Sequence, residues 1–310
     1  MSRRNIIYMK LLRKNQESKN LSNSYLLKGE SFFVKSFKRF RKHKLAMFGL
    51  IMLGIVIILS LIIPLFNSLS AFELNFSEVG QRPSWKHPLG TDNIGRDVFA
   101  RLILGGRVSL AVGFVSVLIS TSIGIILGGI AGYKGGIVDN IIMRLTDTMM
   151  CFPYLVIIIV MVAVLGPSLY NTILAIGLLS WTGTARITRG QFLYLRELQF
   201  IEADISLGIR EGKIIFFHIL PNAFSPIIVS ATFNMANAIL MEAGLSYLGL
   251  GVQVPTPSWG NMLGDAQSVT ILEIMPWMWI PAGAMIAITV LSVNFIGDGL
   301  RDALDPKMKL

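Results

Sequence analysis

Charge is scarce in this sequence. Asp, Glu, Lys and Arg make up 15% of its 310 residues, against 53% apolar, and the mean hydropathy is +0.63. A soluble domain carries roughly a quarter charged residues, so the shortage excludes an ordinary soluble fold and predicts an integral membrane protein. Bases far outnumber acids at the N-terminus, where residues 1–44 hold thirteen Lys or Arg against only Glu17 and Glu30. Cysteine is nearly absent: Cys151 stands alone, so no intrachain disulfide can form, and its apolar neighbours predict a buried, inert thiol. A nucleotide-binding loop is missing too. The nearest stretch, 128–134, has no Gly before Lys134 and no Ser or Thr after it. Energy for any pumped process must then come from another chain or from an ion gradient. The three histidines, His43, His87 and His218, are scattered without a Ser/His/Asp set, paired catalytic carboxylates or metal-ligand spacing. No catalytic residue and no metal ligand is expected.

Long apolar runs are what the chain has instead. A membrane helix needs about 20 residues, and runs at 45–66, 107–132, 141–165, 169–185, 221–250 and 276–296 predict an all-α membrane protein with six transmembrane helices. Before them lies a basic tail, 1–44, in which Phe33, Phe37 and Phe40 share a helical face among Lys35, Lys38, Arg39, Arg41 and Lys42. That pattern predicts a helix lying in the lipid interface, or simply a basic anchor. No cleavable signal is expected, because the first apolar run starts late and is too long. A polar segment at 67–106 falls outside the membrane, and 299–310 forms a tail. With the N-terminus inside, 23 of the 28 Lys and Arg lie on the cytoplasmic side; Arg82, Lys86, Arg96, Arg101 and Arg107 lie outside. The positive charge therefore reads as membrane orientation, and no nucleic-acid partner is expected for want of a recognised module.

One polar stretch, about 190–221, interrupts the apolar runs. Tyr194, Leu198, Ile201, Ile205 and Gly208 are spaced to form one apolar stripe on a short helix. Glu197, Glu202 and Asp204 lie beside it, Gly208 is placed to turn the chain, and Pro221 is expected at the start of the next membrane helix. A bent, charged finger leaving a membrane bundle suits docking on a soluble partner.

The same residues resemble the EAA loop of ABC importer permeases, whose pattern is roughly Glu-Ala-Ala, three residues, Gly, nine residues, Ile, any residue, Leu-Pro. Glu202, Ala203, Gly208, Leu220 and Pro221 fit it; Asp204 replaces the second Ala and His218 the Ile. A His before x-Leu-Pro-Asn is similar to the peptide and nickel branch of that family.

Further motifs carry the likeness from about Phe32 to the C-terminus. His87, Gly90, Thr91, Asp92, Gly95, Arg96 and Asp97, followed by Arg101, look like an outer-face signature of the branch, with Ala100 where a small hydroxyl residue is usual. Read from the residues alone they make a capped, rigid lid: Thr91 or Asp92 starts a helix, and Asp92–Arg96 and Asp97–Arg101 form i, i+4 pairs. Glu242 sits in an apolar run, where a carboxylate is costly; it either lines a translocation path, pairs with a polar neighbour, or is buried protonated. Asp147 is a second path candidate. Gly124, Gly128 and Gly132 make a small-residue face for close helix packing, with a partner permease as one candidate for the helix it meets. Trp259, in the run Pro255–Met262 that also resembles the family, is expected at the membrane–water boundary.

The resemblance implies a type I ABC importer permease fold with cytoplasmic coupling helices, an ABC transmembrane domain over 107–298, and a multi-pass location in a bacterial cytoplasmic membrane. It implies a second permease, two ATPase subunits and an extracytoplasmic binding protein as partners, with membrane lipid around them. ATP and Mg would sit on the ATPases, with no cofactor and no enzyme activity in this chain. Peptides are the implied cargo, with nickel, metallophores or glutathione as alternatives. A gradient-driven secondary transporter and a non-transporting scaffold are the rival classes.

Overall fold

In lipid a backbone must satisfy its own hydrogen bonds, and this chain does so with helices. The computed structural model describes residues 32–62 and 71–304. The expectations for 1–31, for 63–70 at the end of the first span, and for 305–310 lie outside those residues. Within them the structure is helical, with one isolated antiparallel bridge between Thr91 and Asp97.

Helix α1 (Phe32–Lys42) is the expected basic helix. His43 then caps α2 (Lys44–Ile57), its Nδ1 accepting the Ala46 N–H at 3.1 Å. A π-helical turn, Ile58–Ile62, follows, and Arg107 donates to the Ser60 and Leu61 carbonyls at 2.9 and 3.0 Å.

Next comes α3 (Val98–Lys134), about 55 Å long at 1.5 Å per residue. It exceeds the roughly 30 Å hydrocarbon core, so a turn or more projects beyond it. The helix begins at Val98 rather than at 107, because Asp97, not Thr91 or Asp92, caps it: Asp97 Oδ1 accepts the Ala100 N–H at 2.7 Å.

Four helical segments among the described residues are long and apolar enough to cross a membrane: Lys44–Ile62, Val98–Lys134, Glu211–Tyr247 and Pro276–Leu304. The expected span at 141–165 is instead a pair, α4 (Gly136–Met150) and α5 (Tyr154–Leu165), bent by 84°. Pro153 explains the break, since it disfavours helical geometry at Phe152 and lacks an N–H. Cys151 lies at that bend and is exposed, contrary to the buried thiol expected from its apolar neighbours.

The run at 169–185 also divides, into α6 (Leu169–Leu179) and α7 (Trp181–Arg196). At the joint the Ser180 hydroxyl bonds back to the Ile176 carbonyl at 2.6 Å, a contact that bends helices. The last helix extends through residues assigned above to the 299–310 tail and reaches Leu304.

The remaining helices are α8 (Gln199–Ser206), α9 (Glu211–Lys213), α10 (Leu220–Tyr247), α11 (Trp259–Gly264), α12 (Val269–Ile274) and α13 (Ile280–Leu304). Helix α3 lies at the centre, against α6, α7 and α10, while α13 packs on α2 and α10. The glycine face of α3 packs on α7 of this same chain, not on a partner: a Cβ on Gly128 would lie 2.3 Å from the Ala185 carbonyl oxygen.

Candidate functional site

The EAA residues form a bent finger. Helix α7 stops at Arg196, Glu197 and Leu198 turn the chain, and α8 starts afresh. This break spoils the single apolar stripe expected from the spacing. Ile201 is fully buried and Leu198 packs beside it, but Tyr194 and Ile205 are exposed. Ile201 instead joins Phe192, Leu195, Ile214, Ile219, Ala223 and Ile227 in a small core at the root of the finger. Outward face Glu202, Ala203, Phe200, Ile205 and Leu207.

Gly208 turns the chain as expected, at φ +72°. Its N–H donates to the Ile205 carbonyl at 3.0 Å and the Ile209 N–H to the Asp204 carbonyl at 3.1 Å, the paired bonds of a Schellman cap. Pro221 is the second residue of α10, in the first turn as expected, but that α-helix does not start afresh. Glu211 to Tyr247 is one continuous helical run, and Pro221 follows a π-helical turn, Ile214–Ile219, inside it. The Leu220 N–H closes that turn on the Ile215 carbonyl. A widened turn is where a helix most readily accommodates a residue with no N–H to give. Leu220 is half-buried and Pro221 exposed.

The two path candidates are not brought together. Asp147, on α4, is exposed and lies 2.5 Å from Arg186 on α7; about two turns earlier on α4, Asp139 accepts from Arg189 Nε and Nη2 at 2.5 and 2.6 Å. Glu242 is fully buried in α10. Its two oxygens accept from Ser109 on α3 at 2.9 Å and from Ser246 at 2.8 Å. Each serine in turn accepts a backbone N–H at 3.2 Å: Ser109 from Trp259, Ser246 from Val252. Glu242 is thus the hub that ties α3 and α10 to the 252–261 loop, and it lines no open path here. The sequence reading missed Ser109 and Ser246, although Ser246, four residues after Glu242 on one helix, was the available signal. Trp259 is fully buried, not interfacial, and its indole donates to the Leu102 carbonyl at 2.9 Å.

The outer-face residues do converge, in two layers. His87 bridges two carboxylates, Nδ1 to Asp97 at 2.6 Å and Nε2 to Glu78 at 3.2 Å. Glu78 also meets Lys86, whose ammonium holds the Glu78 carboxyl below the usual carboxylate range, with help from His87. Thr91 accepts from the Gln81 N–H at 2.8 Å and donates to the Glu78 carbonyl. Gly90 and Gly95 turn at positive φ. Deeper in, Asp92 accepts from the backbone of Ile94 and Arg96 at 3.0 and 2.9 Å and from Arg96 Nε at 2.6 Å.

Arg101 turns to Asp92 at 3.7 Å and not to Asp97, so the expected Asp97–Arg101 pair is replaced by the Asp97 cap and its His87 contact. Asp92, Arg96 and Arg101 are all buried. Burial pushes the nearby Asp265 carboxyl up, against the pull of Arg101. Glu78 and Asp265 were not foreseen; neither belongs to a motif, and only the fold brings them in.

The end of the long central helix, the bent finger and the continuous helix after it fall within a stretch that one family model matches. The model is described as the binding-protein-dependent transport system inner membrane component, and it matches residues 124–310. The chain belongs to that family. A second model, the N-terminal TM domain of oligopeptide transport permease C, matches residues 31–81 of the permease. The permease is 46% identical to the dipeptide transport system permease protein DppC of Alkalihalophilus pseudofirmus, over 89% of this chain and 90% of that one. It is 40% identical to the oligopeptide transport system permease protein OppC of Bacillus subtilis, over 91% and 92%. Among solved structures, a chain of the inward-facing MetNI methionine ABC transporter matches at TM-score 0.54 and 19% identity, covering 66% of the permease and 96% of that chain. The two share a fold. The permease is an ABC importer subunit of the membrane.

Proposed function

We propose that this permease is the C-type subunit of an ATP-driven importer carrying di- and oligopeptides across the cytoplasmic membrane. The observation that carries the reading is the shape of the finger: Glu202 and Ala203 exposed, Ile201 anchoring the root, and Gly208 turning the chain at φ +72°. An exposed carboxylate among exposed Phe200, Ile205 and Leu207 is the chemistry of helix-in-groove docking. The apolar side chains supply contact area, and the carboxylate fixes register against a cation on the partner.

Two ATPase subunits are the soluble partners, one of them docking here. When they close on ATP they displace α8, and the continuous run Glu211–Tyr247 passes that movement into the bundle. ATP and its magnesium stay on those subunits, and this chain hydrolyses nothing. Six crossings return both termini to the cytoplasm: α2, α3, the bent pair α4–α5, the pair α6–α7, α10 and α13. Substrate arrives from an extracytoplasmic binding protein and passes between this permease and a second one. Outer-face residues 71–97, with Trp277 donating to the Thr91 carbonyl at 3.2 Å, form the rigid lid on the receiving side. The peptide class is supported by the names of relatives 40% and 46% identical to this chain.

The test is uptake of a labelled peptide panel, beside labelled nickel, in cells with and without this chain. Peptide uptake is expected to fall without it and to return with the wild-type gene. Loss of nickel uptake with peptides untouched would replace the cargo and leave the importer. Peptide uptake that follows an ion gradient and survives loss of the ATPases would replace the importer by a secondary transporter.

A further inference from the structure

The two positions at which the finger departs from the EAA pattern touch each other. Asp204 stands where the pattern has Ala, and His218 where it has Ile. His218 Nδ1 lies 2.6 Å from Asp204 Oδ2, with side chains 31% and 15% exposed. One residue is on α8 and the other on the π-helical turn, so the contact spans the Gly208 corner from arm to arm.

Few other contacts join those arms. The Schellman bonds close the corner itself, and Ile201, Ile214 and Ile219 pack at the root. Beyond the root, two clefts of about 600 and 630 Å³ flank the start of α10, one lined by Phe216, Leu220 and Pro221, the other by Tyr194, Leu195 and Arg301. The π-helical turn is a compliant element, since its bonding register differs from that of the helix it interrupts. A push on α8 has two places to be absorbed, the Gly208 corner and the π-helical turn. An Ala–Ile contact would resist that only through contact area, whereas the close approach of imidazole and carboxylate sets a polar contact between the arms.

We infer that Asp204 and His218 are positioning residues, a latch that makes the two arms of the finger one lever, so that displacement of α8 arrives at α10. This rests on the docking role proposed for the finger. The latch is tested in the complete importer, reconstituted with its ATPase subunits, by reading uptake of a labelled dipeptide and ATP hydrolysis together. Asp204→Ala and His218→Ile are each expected to lower uptake per ATP about tenfold, while the double variant recovers to within about threefold, the signature of two residues acting as a pair. A role confined to folding would reduce the amount of complex and both activities alike, leaving the ratio unchanged, and that result overturns the latch. Glu202→Arg is run in parallel. Should it abolish uptake while both single variants keep the wild-type ratio, docking stands and the latch is wrong. Should Glu202→Arg keep uptake and ratio, the docking role falls and the latch with it.

Discussion

Replacing Asp92 by Ala is expected to destabilise the permease by about 3–5 kcal/mol, the usual loss when one partner of a buried charge pair is removed. Asp92 accepts from Arg96 Nε at 2.6 Å, has Arg101 Nε at 3.7 Å, and holds two backbone N–H groups of its own loop. Both arginines are buried and Arg101 Nη1 already has no hydrogen-bond partner; Asp265, the other carboxyl near them, is itself pushed up by burial and is a poor substitute. The variant would leave two buried cations without their carboxylate and would unfasten the corner that starts α3. Thermal unfolding of the detergent-purified permease measures this, and a clear fall in Tm is expected. Asp92→Asn keeps acceptors for the backbone groups and should fall between the variant and wild type. A wild-type Tm for Asp92→Ala, with uptake lost, would mean that Asp92 meets substrate and does not hold the fold.

Glu242→Ala is the second large effect. Removing this side chain leaves a cavity between α3 and α10 and strands the hydroxyls of Ser109 and Ser246, together worth about 3–5 kcal/mol. Membrane extracts are expected to hold little folded Glu242→Ala protein. Glu242→Gln fills the same space and keeps an acceptor for one serine, so its cost is about one hydrogen bond, ~1 kcal/mol. It should accumulate and transport within a few-fold of wild type. A Glu242→Gln permease that accumulates normally but transports a hundredfold less would restore the path role that the buried geometry argues against.

Local features were legible in the sequence, and contacts made by distant segments were not. Gly208 and the Glu-Ala-x-x-x-x-Gly spacing lie within a short stretch of chain, Glu202 to Gly208, so residue type alone located the corner. The helical character of most of the apolar runs was equally plain. Pro153 and Ser180, which divide two of the expected spans, were visible as residues, but hydropathy averaged over a span hides a single break. Trp259 was expected at the membrane boundary on its residue type; its burial depends on Leu102 and Ser109, about 150 positions away. The outer-face motif was located correctly but wired differently. His87 has first claim on Asp97, and Asp97 caps α3, which leaves Arg101 to Asp92. The expected Asp92–Arg96 pair does form, on a turn and not on a helix; the Asp97–Arg101 pair does not, because the Asp97 carboxylate is engaged in the cap and with His87. Asp204 and His218 were each noticed as departures from a pattern; only the folded corner makes them neighbours.

The most direct measurement of the coupling role is peptide uptake by cells carrying Glu202→Arg in place of the wild-type chain, with the amount of assembled importer measured in the same membranes. Glu202 is exposed, so assembly of the bundle should be unchanged. Reversing a charge that sets register against a cation should cut uptake roughly tenfold or more. Normal assembly with that loss is the expected result; undiminished uptake would contradict the finger's role in coupling.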